Sequence, residues 1–275
     1  MPLELIGLAA LGFAVGTYGT VIGAGGGFVL VPLLLILYPG YDPEQVTSIS
    51  LAVVFANATS GSIAYARQRR IDYLTGLLFA ASSVPGVIAG ALVVGYIPRR
   101  LFSGLFGLVL FGLAALSLRG SAMEIRPPLA GRGVLLRHMT DPEGRTYRYG
   151  YKLWQGVLLS VVVGFASSLF GIGGGPIHVP AMIILLHIPI QYAVATSHFV
   201  LAFMSGGGSA VHLAQGNLGG EQLVKALAIG AGAIPGAQAG ALLAHRVRGR
   251  GVLMLLAGAV ILLGARLLLD AIFEI

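Results

Sequence analysis

The hydrophobic positions of this chain form long, continuous blocks. Five blocks occupy residues 3–22, 28–38, 46–66, 74–96 and 101–118, and five more occupy 153–170, 176–187, 193–214, 223–245 and 252–273. A helix needs about 20 apolar residues to cross a bilayer, and most of the blocks approach that length. Because transmembrane barrels show alternating rather than continuous apolar positions, they are excluded. The pattern predicts an all-α integral membrane protein with about 8–10 transmembrane or re-entrant helices.

The second set of blocks repeats the first. GAGGGFVLVP at 23–32 matches GIGGGPIHVP at 171–180, VTS at 46–48 matches ATS at 195–197, and SVPGVIAGA at 83–91 matches AIPGAQAGA at 233–241. Three motifs that keep their order and nearly constant spacing indicate a duplication. The sequence therefore predicts a first transmembrane repeat (1–118), a basic aqueous connector (119–152) on the cytoplasmic side, and a second transmembrane repeat (153–275).

The distribution of basic residues bears on how the two halves are oriented. The basic loop at 67–70 follows the third block of the first half, whereas the basic loop at 246–250 follows the fourth block of the second half. Since cytoplasmic loops carry an excess of Lys and Arg, this shift is expected if the second half is inverted in the membrane. With the connector inside, inversion places only one more basic residue inside than parallel halves do. Inverted repeats are the favoured interpretation.

Each repeat contains a glycine run followed by a block too short to cross the bilayer. Residues 28–38 span only about 16 Å as a helix, so the helices are predicted to be broken at the glycine motifs. Broken helices at equivalent places in two repeats indicate a transporter binding site. The runs fit neither a Walker A loop nor a dinucleotide fingerprint. They would expose backbone N–H groups at helix N-termini, which attract anions. The alternative is close helix packing through small residues, which is also our interpretation of the two PG-x-x-AGA motifs.

The composition limits the chemistry that the membrane segments could perform. The chain is 56% hydrophobic, 10% charged and free of cysteine. Asp and Glu avoid the middle of every block, which excludes a cation carrier or pump that uses buried carboxylates. The net charge of +7 comes mostly from loop arginines, so it indicates membrane topology and not a nucleic-acid partner. The N-terminus lacks a basic region before its apolar block and is predicted to be a first membrane segment.

Neutral hydrogen-bonding groups are therefore the candidate ligands of a small anion. The Thr-Ser pairs begin the third block of each half, where helix capping is the alternative role, and Asn57 could equally join two helices. His178 and His198 are the candidates for proton coupling, with neutral helix contacts as the alternative. The predicted substrate-binding residues are Gly25, Gly26, Gly27, Thr47, Ser48, Asn57, Gly173, Gly174, Gly175, Thr196, Ser197 and His198.

Enzymatic and metal-dependent functions are not supported. Ser209 and His212 lie three residues apart on one predicted helix, and the sequence offers no group to orient them as a hydrolase pair. Histidine spacing typical of a zinc site is missing as well. We therefore predict no enzyme activity, no cofactor and no metal.

The duplicated glycine motifs give the chain a recognisable resemblance. GAGGGFVLVP and GIGGGPIHVPAMIILLHIPIQYAVATS, each with a Thr-Ser pair nearby, resemble the sulfite exporter TauE/SafE family over nearly the whole chain outside the connector. The resemblance implies a multi-pass transporter of the prokaryotic cytoplasmic membrane. It also implies a sulfur-containing oxyanion substrate such as sulfite, a sulfonate or sulfoacetate. The residues themselves indicate only a small anion, carried by a secondary transporter. The alternatives are a passive anion channel and a carrier of another small solute, and the sequence does not distinguish a monomer from a homodimer.

Overall fold

A computed structural model describes residues 2–120, 131–141, 144–244, 246 and 249–273. In these ranges the chain forms ten α-helices and one β-hairpin. The first half contains α1 (Pro2–Val21), α2 (Gly27–Leu37), α3 (Pro43–Arg67), α4 (Tyr73–Val93) and α5 (Arg99–Gly120). The hairpin consists of β1 (Val134–Thr140) and β2 (Thr146–Lys152). The second half contains α6 (Leu153–Phe170), α7 (Gly175–Ile184), α8 (Ile190–Ala214), α9 (Gly220–Leu243) and α10 (Gly249–Phe273).

Eight of the described helices are long and apolar enough to cross a membrane, and α2 and α7 are the shorter apolar pair. The prediction of an all-α membrane protein with broken helices is confirmed. At 1.5 Å per residue, the 11 residues of α2 cover only about half of an ~30 Å bilayer core. Hydrogen bonds from Arg99 at the C-terminal end of α2 account for where this helix ends. Arg99 donates to the carbonyl oxygens of Leu35, Pro39 and Tyr41 at 2.6–2.7 Å, and a cation there favours the negative end of the helix dipole.

The two halves pack on each other in a pseudo-twofold pattern. Helix α1 contacts α9, and its counterpart α6 contacts α4; α3 contacts α8, and α5 contacts α10. Glycines allow the α1–α9 and α4–α6 crossings to be close. Gly236 faces the backbone of Phe13, and Gly86 faces the backbone of Val161. Both glycines belong to the PG-x-x-AGA motifs, so their spacing serves backbone approach between helices.

The direction of the central helices follows from which residues meet. On α3 and α8, Gly61 faces His198 whereas Leu51 faces Gly208. Residue numbers thus rise along α3 as they fall along α8, and the two counterpart helices run antiparallel. Helices α1 and α9 run parallel, because Gly12 meets Ile229 and Thr17 meets Gly240.

The hairpin was not predicted from the sequence. Residues 121–130 and 142–143 of the predicted connector lie outside the described residues, and β1 pairs with β2 in antiparallel register with Arg137 opposite Tyr149. Tyr149 and Tyr151 are buried in a cluster with Phe79 of α4 and Tyr192 of α8. The connector is therefore packed against both halves at one end of the helix bundle.

Candidate functional site

The two glycine loops adopt the same backbone conformation. We name residues 22–26 the first glycine loop and residues 171–174 the second glycine loop. In the first, Gly23, Gly25 and Gly26 have φ of 73°, 72° and 84°, and the equivalent Gly171, Gly173 and Gly174 have 68°, 77° and 84°. Residues with side chains rarely adopt these angles. The glycines of the motif are therefore required by the break itself, where each long helix ends and each short helix begins.

The two loops lie against each other in the centre of the bundle. A Cβ atom at Gly27 would lie 2.5 Å from the carbonyl oxygen of Gly171, and one at Gly175 would lie 2.5 Å from the Cα of Ala24. Each short helix therefore begins directly beside the loop of the other half. This contact brings the predicted residues Gly25–Gly27 and Gly173–Gly175 together in one place.

The first N–H groups of the short helices are free at this junction. The N–H groups of Ala24 and Gly25 bond to the carbonyl oxygen of Gly19. In contrast, the N–H groups of Gly27 and Gly175 have no hydrogen-bond acceptor among the described residues. Each helix N-terminus carries about half a positive charge in addition to these donors. Two such ends beside each other form a chemically suitable environment for an anion.

Two apolar side chains border the junction. Val54 of α3 and Leu201 of α8 each contact both Gly25 and Gly173, and both side chains are fully buried. They belong to a small central cluster with Ala58. The space next to the loops is therefore bounded by aliphatic groups, with no Asp, Glu, Lys or Arg among these contacts.

The predicted Thr and Ser residues lie on two opposite sides of the junction. Ser197 is 3.5 Å from the carbonyl oxygen of Gly23, to which its hydroxyl donates, and Thr196 accepts a bond from the N–H of Asp72 at 3.0 Å. On the other side, the hydroxyl of Ser48 has two alternative acceptors, the carbonyl oxygens of Gln45 and Asn217. Thr47 packs on Gly171, and its hydroxyl has no partner among the described residues. Three of the four hydroxyl side chains thus bond to the protein in this conformation.

Asn57 and His198 belong to one hydrogen-bonded network beside the first glycine loop. Thr20 donates to the Oδ1 of Asn57 at 3.1 Å and lies 3.5 Å from the Nε2 of His198. The amide of Asn57 donates to the carbonyl oxygens of Gly16 and Ala233. The network joins α1, α3, α8 and α9, so Asn57 does connect helices of both halves. Its proximity to the loop leaves the ligand role open as well.

His178 lies in a different environment from His198. It sits on α7 with its Nε2 3.5 Å from the hydroxyl of Ser160, and its ring packs 5.8 Å from that of Phe79. The two histidines predicted for proton coupling therefore have different neighbours, since His198 lies beside Thr20 and Tyr65. In the described ranges, no group of three His, Asp or Glu residues could hold a metal ion.

A family model described as Sulfite exporter TauE/SafE matches residues 8–267. The chain belongs to the sulfite exporter TauE/SafE family.

Relatives in the TauE/SafE family agree with a membrane transporter. The probable membrane transporter protein YunE of Bacillus subtilis is 34% identical, and the match covers 99% of this chain and 100% of the relative. A probable membrane transporter protein of Methanocaldococcus jannaschii is 30% identical over 76% of this chain and 70% of its own. YdhB of Bacillus subtilis, also a probable membrane transporter protein, is 27% identical over 80% and 82%. No solved structure is significantly similar to the chain.

At one end of this TauE/SafE bundle, the hairpin is bonded to a buried carboxylate. Arg137 donates to both oxygens of Asp72 at 2.7–3.1 Å, and Tyr149 donates to the same carboxylate at 2.7 Å. Burial by itself raises the pKa of Asp72, but hydrogen bonds from Arg137, Thr75 and Tyr149 outweigh it, so the pKa lies below its ordinary value. Burial and the nearby Asp72 raise the pKa of Tyr149. Asp72 therefore stays ionised and holds the connector against α4 and α8.

The opposite end of the TauE/SafE bundle carries a second polar cluster. The ammonium of Lys225 lies 3.6 Å from the ring centre of Tyr38 and bonds to Tyr41 and Glu221 at 2.5 Å. Asn217 donates to Glu44 at the same end. Lys225 on α9 and Thr75 on α4 are equivalent under the offset of 150 between the repeats. Each half thus begins its fourth helix with a bonded polar cluster, one at each end of α3.

Several residues of this site were not singled out from the sequence. Ser50 donates to the carbonyl oxygen of Gly171 at 2.7 Å and holds the second glycine loop, while Tyr65 donates to the carbonyl oxygen of Thr20 at 2.7 Å. Val54 and Leu201 look like ordinary apolar helix positions. Alternation of tyrosines at 147, 149 and 151 after a turn-forming DPEG segment was a usable signal for the hairpin.

Proposed function

We propose that this protein is a secondary transporter that moves a small sulfur-containing oxyanion of the sulfite, sulfonate or sulfoacetate class across the cytoplasmic membrane. The anion binds at the N-termini of α2 and α7, between the two halves. The supporting observation is the junction itself, where two short helices of different repeats begin side by side with free N–H groups. The family description supports the substrate class.

We also infer that the two halves are inverted repeats and that transport alternates access to the junction. Counterpart helices of inverted repeats run in opposite directions, and the antiparallel run of α3 against α8 supports this arrangement. The bonded clusters around Asp72 and Lys225 lie at opposite ends of the bundle, as two alternating gates would. His198 and His178 remain the candidates for coupling to protons.

The first experiment measures flux of labelled sulfite, a labelled sulfonate and labelled sulfoacetate into proteoliposomes. A carrier gives saturable uptake, counterflow of preloaded anion and a response to an imposed pH gradient if protons are coupled. Unsaturable flux that follows only the anion gradient would support the alternative, a passive anion channel. Absence of any sulfite, sulfonate or sulfoacetate flux would refute the substrate class.

The second experiment tests the junction as the binding site. A leucine at Gly26 or Gly174 would introduce a side chain where φ is 84° at both positions, and we expect loss of anion binding. Gly112 on α5 has nothing within 4 Å of an added Cβ, so Gly112→Leu is the matched control. Anion-dependent thermal stabilisation of the purified protein reports binding. Retained affinity in both loop variants would dismiss the glycine site.

A further inference from the structure

One set of buried polar groups next to the glycine junction lacks hydrogen-bond partners. We name Thr47, Ser167, Ser168 and His212 the hydroxyl–imidazole cluster. All four residues are fully buried. The hydroxyls of Thr47, Ser167 and Ser168 and both ring nitrogens of His212 have no hydrogen-bond partner among the described residues. A buried polar group left without a partner costs about 1–3 kcal/mol, so several together require an explanation.

The packing of the helices places Thr47, Ser168 and His212 in one region of the bundle. A Cβ at Gly208 would lie 2.9 Å from the hydroxyl of Ser168, and it would also contact Leu51. Thr47 lies one turn before Leu51 on α3 and His212 lies one turn after Gly208 on α8, so the antiparallel packing of these helices brings the two residues to the same level. The same proximity is supported by Asn217, whose N–H bonds to the carbonyl oxygen of His212 while its own carbonyl accepts a bond from Ser48.

The cluster also borders the proposed anion site. Thr47 packs on Gly171, and a Cβ at Gly174 would lie 3.4 Å from the Cβ of Ser167. The start of α7, where the N–H of Gly175 has no acceptor among the described residues, is therefore close to Thr47 and Ser167. Unpartnered donors of the second glycine loop and of the cluster therefore belong to neighbouring residues on the α6 side of the junction.

The equivalent position in the first half is satisfied. Ser168 corresponds to Thr20 under the offset of 148 between the glycine motifs. The hydroxyl of Thr20 is bonded to Asn57 and lies 3.5 Å from the Nε2 of His198. Duplication alone would leave the hydroxyls of Thr20 and Ser168 equally bonded. Since only the hydroxyl of Thr20 has partners among the described residues, the hydroxyl of Ser168 is the one available to a ligand.

We propose that the hydroxyl–imidazole cluster supplies the side-chain ligands of the transported oxyanion. The three hydroxyls and one ring N–H of a neutral imidazole can each donate to an anionic oxygen. This proposal rests on the proposed function and deepens it, since it assigns the anion to the side of the junction formed by α6, α7 and the end of α8. Asn57 and His198 would then join helices on the opposite side of the junction, beside the first glycine loop.

The experiment measures the thermal midpoint of the purified full chain against sulfite concentration, with chloride at equal ionic strength as the blank. Thr47→Val and Ser168→Ala remove one hydroxyl each, and His212→Leu removes the imidazole. A hydrogen bond to a charged group contributes about 1.5–3 kcal/mol, so we expect each change to raise the apparent Kd for sulfite about tenfold to a hundredfold. His212→Gln keeps an N–H donor and should recover part of the affinity.

The stability of the anion-free protein separates a ligand role from a structural one. Because these hydroxyls have no partner to lose, Thr47→Val and Ser168→Ala should leave the anion-free midpoint unchanged or raise it. Ser50→Ala is the matched control: Ser50 lies one turn from Thr47, is equally buried, and donates to Gly171. We expect Ser50→Ala to lower the anion-free midpoint.

The outcomes are distinguishable. If wild-type protein responds to sulfite and the cluster variants bind it equally well, this inference is overturned and the proposed function stands. If Thr47→Val and Ser168→Ala lower the anion-free midpoint as Ser50→Ala does and keep their affinity, the hydroxyls have a structural role through water, and the inference is again overturned. If the thermal midpoint of the wild-type protein changes with none of sulfite, sulfoacetate and a sulfonate, both the proposed function and this inference are wrong.

Discussion

The contact between the glycine loops leads to a quantitative prediction for Gly27 and Gly175. These two glycines begin α2 and α7, and their backbone angles are not left-handed. An alanine is therefore compatible with the local backbone at both positions. Its Cβ, however, would lie 2.5 Å from the carbonyl oxygen of Gly171 in one case and 2.5 Å from the Cα of Ala24 in the other. Since both neighbours are backbone atoms of the opposite loop, the two loops must move apart.

The size of the effect follows from comparison with a glycine in open space. Overpacking a tightly fitted interior costs about 1–3 kcal/mol. Replacing Gly by Ala in a helix also gains about 0.5–1 kcal/mol by restricting the unfolded chain. Gly112→Ala on α5 should gain the same stability from the unfolded chain without the overpacking cost, because nothing lies within 4 Å of its added Cβ. The difference between loop variant and control therefore isolates the overpacking.

Two measurements test this reasoning. At about 2–4 °C per kcal/mol for a chain of this size, Gly27→Ala and Gly175→Ala should each have a thermal midpoint about 2–12 °C below that of Gly112→Ala. Both should also lose sulfite uptake in proteoliposomes, since the facing helix N-termini are displaced. If both loop variants match Gly112→Ala in midpoint and in uptake, the close contact between the loops is wrong.

Three further predictions concern the connector and the membrane topology. Arg137→Ala leaves the buried carboxylate of Asp72 with fewer hydrogen-bond donors and should lower the free energy of unfolding by about 1–3 kcal/mol. Arg145 is exposed, so the control Arg145→Ala should change that free energy by less than about 0.5 kcal/mol. Chemical denaturation in detergent measures both values. Because the pKa of Asp72 is lower in the folded protein than in the unfolded chain, the stabilisation that ionised Asp72 provides is complete above the unfolded pKa and is lost as the pH falls through the folded pKa. The difference in thermal midpoint between wild type and Asp72→Asn should therefore shrink on acidification. A difference that stays constant with pH would contradict the bonding of ionised Asp72 to Arg137. In this cysteine-free chain, single cysteines at Arg67 and Gln215 should react with an impermeant thiol reagent from opposite sides of the membrane, whereas labelling from one side would contradict inverted repeats.

The sequence predicted the parts of this fold that local chemistry determines. The glycine runs specify helix breaks because Gly23 and Gly171 adopt angles that side chains resist. The length of each apolar block similarly predicted α2 and α7 as the short helices. Duplication was visible because both halves kept the same breaks in the same order.

Contacts between distant segments could not be predicted in this way. Nothing near Asp72 in the sequence indicates that Arg137 binds it across 65 positions. The contact of Ser168 with Gly208 likewise depends on the packing of α6 against α8, which no local pattern encodes. The charge count for inversion differed by a single residue, while the direction of the packed helices is a property of the whole bundle.

The charge available at the junction bears on which oxyanions the protein can hold. Each helix N-terminus contributes about half a positive charge, so α2 and α7 together balance about one negative charge. Val54 and Leu201 border the same space and add none. Burying a second, uncompensated charge among aliphatic groups would cost several kcal/mol. The proposed site would therefore favour a monoanion, such as a simple sulfonate or singly protonated sulfite, over a dianion, so sulfate and fully ionised sulfoacetate should bind more weakly. In the proposed site, hydroxyl groups and helix-end N–H groups without Lys or Arg would hold the anion, so no fixed cation would oppose its release.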